Sequence, residues 1–209
     1  MILNKRLAFS AAGAVLFIVS EAACAVSLNI QVTDAAGLPL ADTVVYAEAL
    51  SAQSLQKPAR SAEIEQKGRK FMPLVSVVQT GTDVSFPNND TVRHHVYSFS
   101  PAKTFDIKLY SGVPGNPVLL DKAGTVVVGC NIHDQMVAYI HVVSTPFFAK
   151  TDAAGKARLT GLAAGNYKLK AWYYTAPATT SVPEQVIAIT VADLSASFKI
   201  NAKNGTLAN

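Results

Sequence analysis

Cysteine is scarce in this chain of 209 residues, which contains only two. Two cysteines are too few for the disulfide framework of a small exported domain. The 18 lysines and arginines form no dense cluster, which argues against a nucleic-acid-binding protein. The apolar run at residues 7–19 is shorter than the ~20 residues that a membrane-spanning helix needs.

The first 25 residues have the organisation of a secretory signal peptide. Lys5 and Arg6 give a charged start, an apolar stretch follows, and residues 23–25 read Ala-Cys-Ala, an A-x-A cleavage site. We therefore expect cleavage after Ala25, a periplasmic location and no stable membrane insertion of the mature protein. A membrane anchor and a lipid attached to Cys24 are the alternatives.

From residue 27 onward, short runs rich in β-branched and aromatic residues alternate with Gly and Pro. This pattern is typical of β-sandwiches, so the predicted fold class is all-β. One weak helical stretch covers residues 47–56. Strands are predicted over residues 27–32, 43–47, 74–79, 84–87, 95–99, 104–109, 125–128, 137–143, 157–159, 167–172, 186–191 and 196–200.

Two turns share one sequence, because residues 34–37 and 152–155 both read Asp-Ala-Ala-Gly. The second turn precedes a strand entered through Gly165-Asn-Tyr167. These segments resemble the opening and closing parts of a carboxypeptidase-regulatory-like (transthyretin-like) β-sandwich. The resemblance implies a second, smaller sandwich split into residues 26–60 and 146–209, with residues 61–145 inserted as another domain. Two domains in series are the alternative.

Residues 129–136 read Gly-Cys-Asn-Ile-His-Asp-Gln-Met and place Cys130, His133 and Met136 at C-x2-H-x2-M spacing. The segment lies between two predicted strands, so a tight loop can direct all three side chains at one atom. A thiolate and imidazole in a trigonal plane with a weak axial thioether are typical ligands of blue copper. Signal cleavage would leave Cys130 as the only cysteine, which excludes a dinuclear copper centre that needs two.

A second imidazole ligand is expected from an earlier strand. Residues 84–90 read V-x-F-x-N-x-D and lead into His94 and His95, which resembles the plastocyanin and amicyanin pattern. Aligning Asn88 and Asp90 with that pattern assigns the metal to His94 and gives His95 a supporting place beside it. Adjacent strand residues face opposite ways, so only one of the two histidines should face the metal.

Residues 63–143 as a whole resemble cupredoxin-domain proteins of this type, including bacterial proteins labelled methylamine utilization proteins. The motifs are I-E-Q at 64–66, F-M-P at 71–73, Y-S-F-S at 97–100 and the loop at 129–136. The resemblance implies a Greek-key β-sandwich with one type 1 copper ion, held by His94, Cys130, His133 and Met136, with His95 and Asn131 in support. It implies electron transfer to a redox partner, a cytochrome c or a dehydrogenase, and only weakly a role in methylamine metabolism.

Other chemistries fit the residues less well. A Cys-His nucleophile would leave Met136 unexplained, and methionine is a poor zinc ligand. We therefore predict that the protein is not an enzyme. The open alternative is a non-redox copper-binding or scaffold protein of the periplasm.

Several residues near these motifs have predicted roles in packing. Phe99, Ile132 and Val137 are expected to exclude water from the metal. His141 is expected at the surface or packed against neighbours. Phe147 and Phe148 form either a docking patch or part of the interior.

Overall fold

The structure is a computed structural model that describes residues 26–51, 61–177, 181–190 and 192–202. These ranges contain strands and no α-helix, which confirms the all-β prediction. None of the described residues belongs to a helix able to cross a membrane. The predicted signal peptide at residues 1–25 lies outside the described part. The strands are β1 (Val26–Asp34), β2 (Val44–Ala49), β3 (Ser61–Glu63), β4 (Glu65–Lys67), β5 (Lys70–Met72), β6 (Val75–Gln79), β7 (Thr82–Ser85), β8 (His94–Ser100), β9 (Lys103–Tyr110), β10 (Val118–Leu120), β11 (Gly124–Gly129), β12 (Val137–Val143), β13 (Phe148–Lys150), β14 (Lys156–Leu162), β15 (Gly165–Trp172), β16 (Glu184–Ile189) and β17 (Leu194–Ile200).

The helix predicted over residues 47–56 is wrong where the structure describes it. Residues 47–49 continue β2 and pair antiparallel with β15, Ala47 opposite Leu169 and Ala49 opposite Tyr167. Residues 52–56 lie outside the described ranges. Pairing with β15 therefore decides the conformation here, against the helical preference of alanine and glutamate.

Five strands were not predicted from the sequence, namely β3, β4, β5, β10 and β13. Each has three residues, too few to show an alternating pattern of apolar and polar residues. The other twelve agree with the predicted strands to within a few residues at each end.

One sandwich is built from strands at the two ends of the described chain. Its sheets have the orders β14-β1-β17 and β13-β2-β15-β16. Strand β1 pairs antiparallel with β14 and parallel with β17, so early and late segments share one sheet. The enclosed core includes Leu28, Val32, Val45, Leu159, Tyr167, Leu169 and Phe198.

The two Asp-Ala-Ala-Gly turns have the same hydrogen bonding. Oδ1 of Asp34 accepts the N–H groups of Ala36 at 2.9 Å and Leu38 at 2.8 Å. Oδ1 of Asp152 accepts those of residues 154 and 156, both at 2.9 Å. Each turn ends with a glycine in the left-handed region, Gly37 at φ 87° and Gly155 at φ 71°. Gly155 also accepts a 2.8 Å hydrogen bond from the Val32 N–H, which fixes this turn to β1.

The other sandwich is built from the central strands. A five-stranded sheet in the order β6-β12-β11-β8-β9 faces a sheet in the order β10-β7-β3, and β4 and β5 form a separate hairpin. The core between them includes Ile64, Phe71, Phe86, Val96, Val126, Cys130, Met136 and Ile140. The described residues therefore enclose two sandwich cores, as the sequence predicted.

A third apolar cluster joins the two sandwiches. Val44 and Tyr46 from β2 are buried against Val75 and Val143, with Trp172 packed beside them. Lys150 adds a polar contact between them, because its Nζ donates to the carbonyl oxygen of Val75 at 2.7 Å. The same Nζ forms an ion pair with Asp42 at 2.7 Å. The outer face of β6 and β12 is thus covered by the neighbouring sandwich.

Candidate metal centre

Three of the predicted ligands meet at one end of the central sandwich. Nδ1 of His94 lies 3.9 Å from Sγ of Cys130, and Nδ1 of His133 lies 3.8 Å from the same sulfur. The three donor atoms all lie within 4.8 Å of one another. The two imidazole rings meet edge to face with centroids 5.0 Å apart. One sulfur and two nitrogens therefore converge on a single point.

The loop between β11 and β12 supplies two of these donors. Gly129 and Val137 are paired at the end of the β11–β12 ladder, so the loop between them is closed at its base. The Cys130 N–H donates to the Met136 carbonyl at 3.2 Å, and the Met136 N–H donates to the His133 carbonyl at 2.9 Å. These two bonds fold the C-x2-H-x2-M segment into a compact turn.

The predicted ligands differ in burial. His94 is fully buried, Cys130 is 4% exposed and Met136 is 1% exposed. Cys130 and Met136 belong to the same apolar core, which surrounds one side of the cluster. His133 is half-buried and is therefore the most exposed of the four predicted ligands.

His95 lies outside the cluster, although it is the sequence neighbour of His94. Its Nε2 is hydrogen-bonded to Oδ1 of Asp106 on β9, and its ring stands edge-on to Tyr97 with centroids 5.7 Å apart. The β8–β9 register shifts between His94 and Val96, at the point where the two histidine side chains separate. The other residue expected in a supporting role, Asn131, is exposed in the ligand loop.

Sequence reasoning missed the acidic residue that contacts His94. Oδ2 of Asp90 lies 2.7 Å from Nε2 of His94, and the carboxylate also accepts the N–H groups of Gly68 at 2.6 Å and Arg69 at 2.9 Å. Burial acts to raise the pKa of Asp90, but the hydrogen bonds from Arg69, His94 and Gly68 together hold that pKa below its ordinary value. The final Asp of the V-x-F-x-N-x-D motif, four residues before His94, was the available signal.

The segment before His94 is itself held in place by Asn88. The Asn88 side chain donates to the carbonyl oxygens of Val92 at 2.9 Å and Tyr110 at 2.8 Å. Its Oδ1 accepts the Asp90 N–H at 3.0 Å. Asn88 therefore fixes the loop that carries both Asp90 and His94.

One predicted role is wrong. Phe99 was expected to exclude water from the metal, but it is 78% exposed and contacts Tyr97 on the outer face of β8. It alternates with the buried Ser98 and so points away from the core. Ile132, on the ligand loop, is 48% exposed, and Val137 is half-buried.

The remaining aromatic residues pack inside the protein. His141 is buried against Trp172, and Phe147 and Phe148 are partly buried in the apolar clusters. Packing, one of the two roles considered for the phenylalanine pair, is therefore what the structure shows.

The donor set fits a copper ion. Sulfur–nitrogen separations of 3.8 and 3.9 Å suit two ligands of one metal, since bonds from sulfur and nitrogen to first-row metals are about 2.0–2.3 Å long. One thiol, two imidazoles and a methionine buried in the same core as Cys130 are the residue types that would hold a type 1 copper ion. Zinc also binds thiolate and imidazole, but a thioether is a poor zinc ligand.

No protein-family model and no curated protein matches this chain. Among solved structures, a purple cupredoxin from Nitrosopumilus maritimus is similar at 22% identity over 39% of this chain and 98% of its own, with a TM-score of 0.35. A reduced amicyanin mutant is 16% identical over 46% of this chain and 98% of its own, with a TM-score of 0.37. A copper-containing nitrite reductase from Thermus scotoductus SA-01 is 21% identical over 46% of this chain and 25% of its own, with a TM-score of 0.38.

Proposed function

We propose that this protein is an exported type 1 copper protein that carries single electrons in the cell envelope. His94, Cys130, His133 and Met136 would hold the copper ion. The observation that carries the proposal is the convergence of one thiol and two imidazoles within 4.8 Å. A bound copper ion would supply a one-electron couple between Cu(II) and Cu(I).

The protein's own contribution is a fixed, partly dry ligand set. Because His94, Cys130 and Met136 are buried in a packed core, their side chains have little room to move when the charge at the site changes. A mixed set of thiolate, imidazole and thioether suits both oxidation states of copper. Such a site needs little rearrangement between states, which favours rapid electron exchange.

His133 is the proposed route for electrons to and from a partner. It is the most exposed of the four proposed ligands, and the exposed Ile132 lies next to it in the loop. The partner that we propose is a redox protein, either a cytochrome c or a dehydrogenase.

The proposal includes a domain organisation and export. Residues 1–25 would be a signal peptide, and residues 61–145 a copper domain inserted between residues 26–60 and 146–209. The shared core of β1, β2 and β13–β17 supports the insertion, because early and late strands pair in the same sheets.

A second candidate is a non-redox copper-binding or scaffold protein of the periplasm. The observation that favours it is the separate sandwich of β1, β2 and β13–β17, whose core has no part in the metal cluster. In this case bound copper would stabilise the fold without exchanging electrons.

The test is a copper titration of the purified exported protein, followed by visible absorption, electron paramagnetic resonance and voltammetry. We expect an intense thiolate-to-Cu(II) band that a reductant bleaches reversibly. A Cys130→Ser variant serves as the control and should lack the band. A wild-type protein that stays colourless with Cu(II) would contradict the type 1 site, and a coloured protein without a reversible wave would favour the second candidate.

A further inference from the structure

The two imidazoles of the cluster are held in different ways. His94 is fully buried between two partners, with Nδ1 facing the Cys130 sulfur and Nε2 facing the Asp90 carboxylate. His133 presents Nδ1 to the same sulfur but is half-buried at the edge of the site. Only the ring of His94 is thus clamped from both sides by side chains of the described chain.

The contact with Asp90 determines which nitrogen of His94 carries the proton. An ionised carboxylate accepts hydrogen bonds and has none to donate. At 2.7 Å from Oδ2 of Asp90, Nε2 of His94 must therefore be the protonated nitrogen. In the neutral imidazole, Nδ1 then carries the lone pair, on the side that faces the Cys130 sulfur.

Asp90 is itself hydrogen-bonded to Gly68, Arg69 and Asn88. Its Oδ1 accepts the Gly68 N–H, its Oδ2 accepts the Arg69 N–H as well as the His94 bond, and its own N–H is bound by Asn88. The Asp90 side chain is only 13% exposed. The position of the His94 ring is therefore fixed through Asp90 to the turn that joins β4 to β5.

We propose that Asp90 is a positioning residue for the metal centre: its carboxylate holds His94 in the Nε2–H form, aims Nδ1 at the metal and raises the basicity of that nitrogen. The inference rests on the proposed copper function and names a residue outside the four ligands. A carboxylate bonded to the far nitrogen of a ligand histidine fixes the ring's tautomer and orientation and strengthens its bond to the metal.

The chain provides a matched control in a second carboxylate–histidine pair. Asp106 contacts Nε2 of His95 as Asp90 contacts that of His94, but His95 lies outside the donor cluster. Asp106 also pairs with Lys108 and is more exposed, at 45%. If the loss of one negative charge near β8 were enough to change the site, both Asp90→Asn and Asp106→Asn would show the change.

The first measurement is nitrogen NMR of the histidines in the copper-free wild-type protein. We expect His94 to be a single tautomer, protonated at Nε2 and bare at Nδ1. In Asp90→Asn a second tautomer should appear, because an amide either accepts from Nε2–H or donates to a bare Nε2. In Asp106→Asn, His94 should keep its wild-type signals.

The second measurement is copper affinity and midpoint potential in the same three proteins. Asp90→Asn should bind Cu(II) about 10–100-fold more weakly. Its midpoint potential should rise, because a less basic imidazole than that of the wild type destabilises Cu(II) more than it destabilises Cu(I). Asp106→Asn should match the wild type in both.

The results separate this inference from the proposed function. Two outcomes would overturn the positioning role and leave Asp90 as a turn anchor. One is a wild-type protein in which His94 is protonated at Nδ1. The other is an Asp90→Asn protein that keeps the wild-type tautomer, copper affinity and midpoint potential but has a lower melting temperature. The expected tautomers in a wild-type protein that binds no copper would overturn the copper function alone. If Asp90→Asn does not fold, the tautomer of His94 in the wild-type protein still tests the positioning role of Asp90.

Discussion

The imidazole of His141 stacks on the indole of Trp172, with ring centroids 4.4 Å apart and planes only 10° from parallel. His141 belongs to β12 of the central sandwich and Trp172 to β15 of the other, so this stack joins the two. Tyr46 is tilted against the imidazole at 5.4 Å between centroids, and Oγ1 of Thr125 lies 3.1 Å from its Nδ1. The histidine is enclosed where the two sandwiches meet.

Stability should depend on pH through His141. Burial, and to a lesser extent the charge of Lys170, lowers the pKa of His141 from 6.5 to about 4. The unfolded chain then binds the proton more readily than the folded one between these values. The contribution of His141 to the free energy of unfolding is therefore complete above pH 6.5 and falls as the pH drops towards 4, by up to about 3 kcal/mol.

Denaturant titrations at several pH values check this, with His141→Phe as the control because phenylalanine preserves the stack without titrating. The variant should lose less stability than the wild type between pH 7 and pH 4.5. Parallel pH profiles for the two proteins would show that other groups cause the acid sensitivity.

The two histidines of β8 should respond differently to replacement. His94→Asn should abolish the thiolate-to-copper band, because it removes a donor 3.9 Å from the Cys130 sulfur. His95→Asn should keep the band, because His95 bonds to Asp106 away from the cluster. Absorption spectra after copper titration distinguish the two, and a reversed outcome would place the ligand at His95.

Met136→Gln should retain copper and lower the midpoint potential. The amide oxygen is a harder donor than the thioether and stabilises Cu(II) more than Cu(I). Voltammetry of the variant beside the wild type measures the shift. Complete loss of copper would mean that Met136 is more than a weak axial ligand.

The paired glycine turns allow a comparison of backbone strain with steric clash. Gly37→Ala should cost about 1 kcal/mol, since φ is +87° but a methyl group there meets nothing within 4 Å. Gly155→Ala should cost about 2–4 kcal/mol, since a Cβ would also lie 2.4 Å from the Val32 carbonyl oxygen. Thermal or denaturant unfolding measures both losses of stability. Equal losses in the two variants would show that the backbone of Val32 moves away from residue 155 at little cost.

Much of the strand pattern followed from the sequence, because alternation and turn residues are local signals. β12 was predicted to the residue, over Val137–Val143. The helix at residues 47–56 was wrong where it can be compared, because β2 owes its conformation to its partners β13 and β15. Partners distant in the chain leave no local pattern to read.

The sequence by itself determined that Cys130, His133 and Met136 share one short loop, because their C-x2-H-x2-M spacing lies between two strands. It also determined the repeated glycine turns, whose geometry depends on residues within the turn. Only the tertiary structure decided that His94 joins Cys130 from 36 positions away and that Asp90 fixes its ring. Only folding could also stack His141 on Trp172, because such contacts depend on how sheets pack and not on the order of neighbouring residues.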